Sequence, residues 1–223
     1  RAIARGTLSS LVGEDALVMD KLSRTLHFTG EAEKIYQQLD KKYKSYLDAY
    51  AKGLNAFLKK SYSDISAVSR LGSDEWGGQD TVAILLMLDW YSSFLKNREH
   101  VFMFRKSSLT REVRRLFPPS LTSEYDESDR SNVLLMKELT RSIKKYVGSY
   151  NRGLGFYIPS SMTADEKSVH AFSLESLGNV YPLWYPVRIQ IKDKTIIGVT
   201  AIGMPYVLDG KNAAFAFSGF NLS

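Results

Sequence analysis

Hydrophobic positions recur with a helical period over the first 150 residues or so of the chain. In residues 31–62 the apolar side chains stand three and four apart, with lysine, glutamine and aspartate between them, which predicts an amphipathic helix interrupted near Gly53. A shorter helix is expected before it, over residues 7–22. A third helix opens at Gln79 or Asp80 and is apolar nearly all round, so we expect it to be buried.

Two more helices are expected before the pattern changes. Residues 109–117 are predicted to form a helix that stops at Pro118 and Pro119, because proline disfavours helical geometry in the residue before it. Residues 120–131 are polar and acidic and are expected to form a surface loop. Residues 132–147 again carry apolar side chains four apart, which predicts a helix.

After Gly153 the apolar positions alternate with a period of two, which is typical of strands. Strands are expected at residues 156–158, 169–172, 187–191, 195–202 and 213–217, with turns at 192–194 and 209–212. The strand at 195–202 is mostly apolar and is expected to be covered on both faces. Helices followed by an antiparallel sheet make the predicted fold class α+β, with a helical segment over 1–150 and a sheet segment over 151–223.

Composition places the chain among globular proteins. Of its 223 residues 44% are hydrophobic and 24% charged, with six prolines and fifteen glycines, which argues against disorder and fibrous repeats. The absence of cysteine excludes disulfides, thiolate metal sites and cysteine nucleophiles.

The longest apolar run, residues 82–88, is far shorter than the ~20 residues of a membrane-spanning helix, so no membrane span is expected. The chain starts at Arg1 without an apolar signal segment, which suggests a processed or excised chain and leaves its compartment undetermined.

The formal net charge of +6 raises the question of an anionic partner. The nearest approach to a basic stripe with interleaved aromatic residues is residues 41–44 (KKYK). Lysines on the outer face of an amphipathic helix are the commoner source of such a cluster, so nucleic acid is disfavoured as a partner. A basic subunit of a larger assembly stays open as one hypothesis for function.

Residue types and spacings identify no active site by themselves. His27, His100 and His170 do not have metal-ligand spacing, so each is expected to be structural or exposed. The acidic residues within 126–129 resemble a calcium loop, but the glycine and the terminal glutamate of an EF-hand are missing. The glycines in residues 153–155 lack the third glycine and the preceding strand of a phosphate-binding loop.

Several segments nevertheless resemble, in order, the motifs of one protein family. The early ones are residues 6–11 (GTLSSL), 16–20 (ALVMD), 24–26 (RTL) and 47–57 (LDAYAKGLNAF), the last similar to an "LxAYAxGxNAY" helix. Next come Glu75-Trp76 with Gln79-Asp80, similar to "W-x-P-x-D", then 86–90 (LMLDW) and 116–119 (LFPP). The later ones are 183–188 (LWYPVR), 198–205 (GVTAIGMP) and 210–212 (GKN), similar to "WYEVRL", "GVTxPGxP" and "GxN". Together these segments resemble the penicillin acylase (penicillin amidase) family over nearly the whole chain.

The resemblance implies an N-terminal-nucleophile amidohydrolase with an αββα core. In that family autoproteolysis makes a serine the first residue of the β segment, its hydroxyl attacks an amide carbonyl, and its own α-amine serves as the base. A backbone N–H group and an asparagine side chain stabilise the oxyanion. The family often binds a structural calcium, whose ligands cannot be placed in this sequence, so no cofactor is predicted. It is also often extracytoplasmic.

This sequence departs from the family pattern at the catalytic positions. Matching the tryptophan of the family's "SNxW" motif to Phe156 places Gly153 at the nucleophile, and glycine has no attacking atom. Ser149 is the candidate nucleophile that remains, and it would need a four-residue insertion. The family's "NDPHL" motif falls on residues 173–177, which keep only the leucine. The oxyanion-hole amide falls near Asn221.

These departures favour a degenerate, catalytically inactive homologue or a fragment of one, with a structural or protein-binding role. The alternative is an active amidohydrolase that cleaves acyl-amide bonds with an autoproteolytically exposed Ser149. The family's β segment extends well beyond the point matching Ser223, so the sheet is expected to have unpaired edges. Its partner would be the remainder of the β segment, as a further chain or segment, within a possible larger protein assembly.

Overall fold

The computed structural model describes residues 1–61, 75–106, 130–147, 149–177 and 183–219. Its α-helices are α1 (Ala2–Arg5), α2 (Ser9–Val12), α3 (Leu17–Leu26), α4 (Phe28–Gln38), α5 (Lys41–Ser61), α6 (Gly78–Lys106) and α7 (Arg130–Tyr146). Short 3-10 helices cover Glu14–Ala16 and Ser160–Met162. The strands are β1 (Ser149–Ile158), β2 (Val169–Leu177), β3 (Trp184–Ile191), β4 (Lys194–Ala201), β5 (Asp209–Lys211) and β6 (Ala216–Phe217).

The α+β fold class predicted from the sequence is confirmed. The described strands form two antiparallel sheets, a pair β1-β2 and a four-stranded sheet in the order β3-β4-β5-β6. Helices precede the strands along the chain, as expected for this class. The division into segments 1–150 and 151–223 stays a prediction. The predicted helix 109–117 and all but the last two residues of the predicted loop 120–131 lie outside the described residues; those two belong to α7.

The core forms around the first half of α6, whose burial was predicted. In the described part of α6 the buried apolar side chains are Val82, Ala83, Ile84, Met87, Leu88 and Tyr91. Phe28 at the start of α4 meets the rings of Trp90 and Tyr91 edge-on, with centroids 6.3 and 6.1 Å apart, and Phe94 stacks on Trp90 at 5.0 Å. Ala201 and Met204 belong to the same buried cluster, so the helices and the four-stranded sheet share this core.

Two helix predictions are wrong in their boundaries. The helix expected over 7–22 is divided at Gly13, whose φ of +95° is one that other residues rarely adopt. The helix over 31–62 is interrupted not at Gly53 but at Leu39, which is extended, and Asp40 then accepts a hydrogen bond from Lys42 N at 2.8 Å. Gly53 is exposed within α5, where it costs only about 1 kcal/mol relative to alanine.

The predicted turn at 209–212 is also wrong, because Asp209–Lys211 forms strand β5. Gly198 of β4 pairs with Gly210 of β5, and a Cβ atom on Gly198 would stand 2.1 Å from the Asp209 carbonyl oxygen. These glycines therefore permit close backbone approach instead of a turn. The chain turns one step later, where Asn212 Oδ1 accepts hydrogen bonds from Ala214 N and Phe215 N. The strand expected at 213–217 accordingly shortens to β6.

The remaining strand predictions are confirmed in place, although most of the strands differ in length. β1 and β2 are longer than expected, and the hairpin turn between β3 and β4 lies at Lys192 and Asp193. Strand β4 is not covered on both faces along its whole length. Its first four residues are exposed or half-buried, whereas Gly198, Thr200 and Ala201 are buried. The cause is position, since only the end of β4 reaches the helical core.

Candidate functional site

A buried carboxylate holds the start of α6. Asp80 is 4% exposed and receives a bidentate pair from Arg5, with Nε to Oδ1 at 2.9 Å and Nη2 to Oδ2 at 3.1 Å. Gly77 N donates to Oδ2 at 2.9 Å, and Arg1 Nε lies 3.4 Å from Oδ1. The "W-x-P-x-D" aspartate of the sequence is therefore a structural anchor between α1 and α6.

The asparagine of the α5 motif has a similar anchoring role. Asn55 Nδ2 donates to the Trp76 carbonyl at 2.9 Å, and Asn55 Oδ1 accepts from Trp76 N at 2.8 Å. Both backbone groups of Trp76 are thus paired by one side chain. The helix motif and the tryptophan motif, 21 residues apart in sequence, are thus joined by these two hydrogen bonds.

A threonine links the helices to the four-stranded sheet. Thr81 is fully buried, and its hydroxyl donates to the Gly203 carbonyl at 2.9 Å while lying 3.4 Å from Trp76 Nε1. Gly203 belongs to the 198–205 motif. Thr200 of the same motif hydrogen bonds to the Met204 and Tyr206 carbonyls at 3.2 and 2.8 Å. These contacts fix the loop that follows β4 against α6.

Two tyrosine hydroxyls among the helices have strongly raised pKa values. Tyr36 donates to Asp48 Oδ1 at 2.5 Å, and this hydrogen bond to a carboxylate raises the pKa of Tyr36 to about 12. Burial raises the pKa of Tyr91 to about 12, with Ser23 Oγ 3.5 Å from its hydroxyl. Both phenols therefore stay protonated at neutral pH and act as neutral packing groups, not as bases.

The position predicted for the nucleophile lies in an irregular part of the β1-β2 ladder. Arg152 pairs with Leu174 and Gly155 pairs with Phe172, so Gly153 and Leu154 together oppose the single residue Ser173. One extra residue in one strand is a β-bulge, a feature often found beside active sites. The bulge places Gly153 within a continuous strand.

Ser149, the other candidate nucleophile, is not brought to this bulge. Ser149 is the first residue of β1 and pairs with Leu177, four residues along the strand from Gly153. Residues 173–177 belong to β2 as partners of residues 149–152 and of the bulge. Asn221 lies outside the described residues, so its place as an oxyanion group stays a prediction.

A cavity of about 330 Å³ lies beside the bulge. It is lined by Gly155, Phe156, Tyr157, His170, Phe215, Ala216, Phe217 and Ser218. His170 Nε2 and Ser218 Oγ are 2.8 Å apart, which joins β2 to the residue that follows β6. Sequence reasoning missed this pair, since it treated His170 as structural and the two residues stand 48 positions apart with no motif between them.

A comparison with known protein families shows which family the chain belongs to. A model of the penicillin amidase family matches residues 1–222. The chain belongs to the penicillin amidase family. The family predicted from the sequence motifs is thereby confirmed.

Relatives that are similar to this family member include acyl-homoserine lactone acylases of Pseudomonas species. The acyl-homoserine lactone acylase QuiP of Pseudomonas syringae pv. syringae is 25% identical over 240 residues, covering 100% of this chain and 29% of that protein. The proteins of the same name from Pseudomonas syringae pv. tomato and Pseudomonas fluorescens are 24% and 23% identical, covering 100% and 97% of this chain and 29% and 28% of theirs. The chain thus spans less than a third of the length of these relatives. No solved structure matches the chain.

Within the described ranges of this penicillin amidase family member, no three His, Asp or Glu side chains come together in a way that could hold a metal ion. None of the helices in the described ranges combines the length and the apolar character needed to cross a membrane.

Proposed function

We propose that this member of the penicillin amidase family no longer hydrolyses amides through an N-terminal nucleophile and serves a structural or protein-binding role. The observation that carries the proposal is Gly153 at the family's nucleophile position. It has no side-chain hydroxyl, and it lies within a strand that is continuous from Ser149 to Ile158. A free α-amine at residue 153 would require cleavage inside this strand.

Ser149 is poorly placed to substitute for a nucleophile at residue 153. A strand rises about 3.3 Å per residue, so the separation of four residue steps between the two positions corresponds to roughly 13 Å along β1. Positioning errors far smaller than this already cost large factors in rate. A hydroxyl at Ser149 would therefore need a different oxyanion site from the one that the family builds around residue 153.

The contacts of the scaffold support the structural side of the proposal. The Asp80–Arg5 pair, the Asn55–Trp76 pair and the Thr81–Gly203 hydrogen bond involve the family-like motifs, and each of them joins separate elements. None of these contacts depends on a catalytic serine. The fold is therefore maintained by side chains that do not take part in amide hydrolysis.

Exposed apolar side chains on the sheets support the protein-binding side. Strand β3 lies at an edge of the described four-stranded sheet and presents Ile189 and Ile191, 41% and 66% exposed. An edge strand with unpaired backbone groups and apolar side chains is a template for a further strand. We propose that another protein segment, from the remainder of a β segment or from a partner chain, covers this edge.

The active alternative, with Ser149 exposed by autoproteolysis, has one observation in its favour, because Ser149 is the first residue of β1. It predicts a chain break between Gly148 and Ser149 in the mature protein, detectable by intact mass and N-terminal sequencing. The inactive proposal predicts that the 148–149 bond stays whole.

Hydrolysis assays distinguish the inactive proposal from the active alternative. The purified full-length protein, Ser149→Ala and, as a matched control, Ser160→Ala are incubated with acyl-homoserine lactones of several chain lengths and with phenylacetyl amides. We expect no release of acid by any of the three. Turnover that Ser149→Ala abolishes and Ser160→Ala keeps would overturn the proposal and establish the alternative.

A further inference from the structure

Positive charge in this chain is concentrated on α5. The helix carries six lysines and one acidic residue, Asp48, whereas the whole chain has a formal net charge of +6. The carboxylate of Asp48 is occupied, because it accepts a hydrogen bond from Tyr36 of α4. Most of the excess positive charge therefore lies on one helix of 21 residues, which is about 30 Å long.

Four of these lysines have no acidic partner among the residues that the structure describes. Lys44 Nζ donates to the Gln37 carbonyl at 2.7 Å, and Lys59 Nζ lies 2.8 Å from Glu75 Oε1. The lysines that face solvent and form no ion pair within the described ranges are Lys41, Lys42, Lys52 and Lys60. Their charges are complementary to an anionic partner.

The outward face of α5 is a row of exposed residues three and four apart in sequence, which places them side by side on the helix surface. The row consists of Lys42, Tyr46, Ala49, Gly53, Ala56 and Lys60. A lysine stands at each end, and the three small residues between them project little, so the helix can approach a flat surface closely. The opposite face packs into the protein through Leu47 and Ala51, which are buried. The outward row is therefore not used by the fold.

Aromatic side chains accompany the lysines on the exposed side of α5. Tyr43, Tyr46 and Phe57 are 56%, 55% and 56% exposed. At a bilayer surface, aromatic rings settle at the level of the headgroups, and lysine places its apolar stem among them while its ammonium group stays at the phosphates. A helix with lysines and exposed aromatic rings is typical of helices that lie on anionic lipid.

The shape and the side chains of this surface favour a lipid bilayer over a nucleic acid. Single strands are usually held in a positively charged groove, whereas the outward row of α5 is the convex side of one helix. Helices that enter the major groove contact bases through arginine, asparagine or glutamine. α5 has no arginine or glutamine, and its one asparagine, Asn55, is hydrogen bonded to the Trp76 backbone.

We propose that the outward face of α5 binds the surface of an anionic lipid bilayer. Lys42 and Lys60 would contact the lipid phosphates, and Tyr46 and Phe57 would enter the interfacial layer, with the helix parallel to the membrane plane. The proposal involves neither residue 153 nor the edge strand β3, so it stands whether or not the protein hydrolyses amides.

Sedimentation of the full-length protein with lipid vesicles tests the proposal. The vesicles contain equimolar phosphatidylglycerol and phosphatidylcholine, and vesicles of phosphatidylcholine alone are the neutral reference. We expect binding to the mixed vesicles that declines as sodium chloride is added, since salt screens the attraction, and binding to the neutral vesicles at least about tenfold weaker. Absence of binding to the mixed vesicles, or equal binding to both kinds, would overturn the proposal.

Variants assign the binding to α5. Lys42→Gln combined with Lys60→Gln removes the charges at both ends of the row and should weaken vesicle binding roughly 20-fold, because one lysine near an anionic surface contributes about fivefold. Lys137→Gln combined with Lys144→Gln is the matched control, since it removes two exposed lysine charges from α7. Equal vesicle binding by the two double variants, with both folds intact by circular dichroism, would refute the assignment to α5.

A fluorescence measurement distinguishes lipid from nucleic acid as the partner. In Phe57→Trp we expect more quenching by lipids brominated along their acyl chains than in the unchanged protein, because residue 57 would lie in the interfacial layer. A labelled single-stranded oligonucleotide is the competing probe. Oligonucleotide binding that Lys42→Gln with Lys60→Gln abolishes, together with no additional quenching in Phe57→Trp, would overturn the lipid proposal in favour of nucleic acid.

Discussion

Replacing Asp80 with asparagine tests the claim that the tryptophan–aspartate motif anchors the fold. The carboxylate accepts two hydrogen bonds from Arg5 and one from Gly77 N, and it is almost fully buried. An asparagine amide keeps the shape but places an NH₂ group where one carboxylate oxygen stood. Whichever oxygen it replaces, at least one Arg5 hydrogen bond is lost and a donor faces a donor.

The magnitude follows from the charge and the burial of the two partners. A hydrogen bond to a charged group contributes roughly 1.5–3 kcal/mol, and loss of one partner of a buried ion pair costs about 3–5 kcal/mol. The Arg5 side chain is 29% exposed, so water recovers part of its hydration in the variant. We therefore expect Asp80→Asn to lower the free energy of unfolding by about 2–3 kcal/mol.

Urea unfolding followed by tryptophan fluorescence measures this change, with Trp76 and Trp90 near the affected region. Asp89→Asn is the matched control, because it makes the same chemical change at an exposed position of the same helix. Arg5→Lys should also destabilise, since lysine does not form the bidentate pair. An Asp80→Asn effect within 0.5 kcal/mol of the Asp89→Asn control would refute the anchoring role.

Three further predictions concern other parts of the scaffold. Asn55→Ala removes both hydrogen bonds to the Trp76 backbone and should lower the free energy of urea unfolding by about 1–3 kcal/mol. Asn55→Asp should also destabilise the fold, because a carboxylate oxygen would then face the Trp76 carbonyl oxygen. Gly198→Ala forces a Cβ atom to within 2.1 Å of the Asp209 carbonyl oxygen. We therefore expect the free energy of unfolding to fall by more than about 2 kcal/mol, or the variant not to fold. Circular dichroism measures this change, with Gly53→Ala as the control. The raised pKa of Tyr91, about 12 in the folded state against 10.0, means that the unfolded state releases its proton first. The free energy of unfolding present below pH 10 therefore falls by about 2 kcal/mol as the pH rises to 12. Tyr91→Phe should remove this part of the alkaline loss, and an unchanged slope between pH 10 and 12 would contradict it.

The helical half was more predictable from sequence than the sheet half, for physical reasons. Apolar periodicity located α5, α6 and α7 because each buries one continuous face or is buried all round. It misplaced the interruption of the α4–α5 region because α4 ends at the extended Leu39 and Asp40 caps the start of α5, whereas Gly53 stays within the helix. Periodicity reports which side chains are buried, and it contains little information on local hydrogen bonds at helix ends.

The sheet half depends on contacts between distant residues. The turn expected at 209–212 was wrong because the sequence pattern of Asp209-Gly210 is the same for a hairpin turn and for a strand that must approach Gly198 closely. The His170–Ser218 pair had no signal in spacing, since the register of β2 with β1 and the turn at Asn212 together bring the two residues to one cavity. Only the three-dimensional pairing of strands identifies such a site.

The nucleophile and the base of an N-terminal-nucleophile hydrolase are two groups of one residue, so under the proposed function a single change at residue 153 would remove the hydroxyl without touching the contacts that hold the fold. Gly153 lacks the hydroxyl, and in an uncut strand its nitrogen is an amide, which is not a base at neutral pH. Restoring the hydroxyl by Gly153→Ser would supply the base as well only if the peptide bond before residue 153 were then cleaved. The anchoring contacts of Asp80, Asn55 and Thr81 are independent of both groups. The scaffold of the family and its chemistry are thus physically separable, and a chain with these anchors and without a serine at residue 153 is stable for reasons unrelated to catalysis.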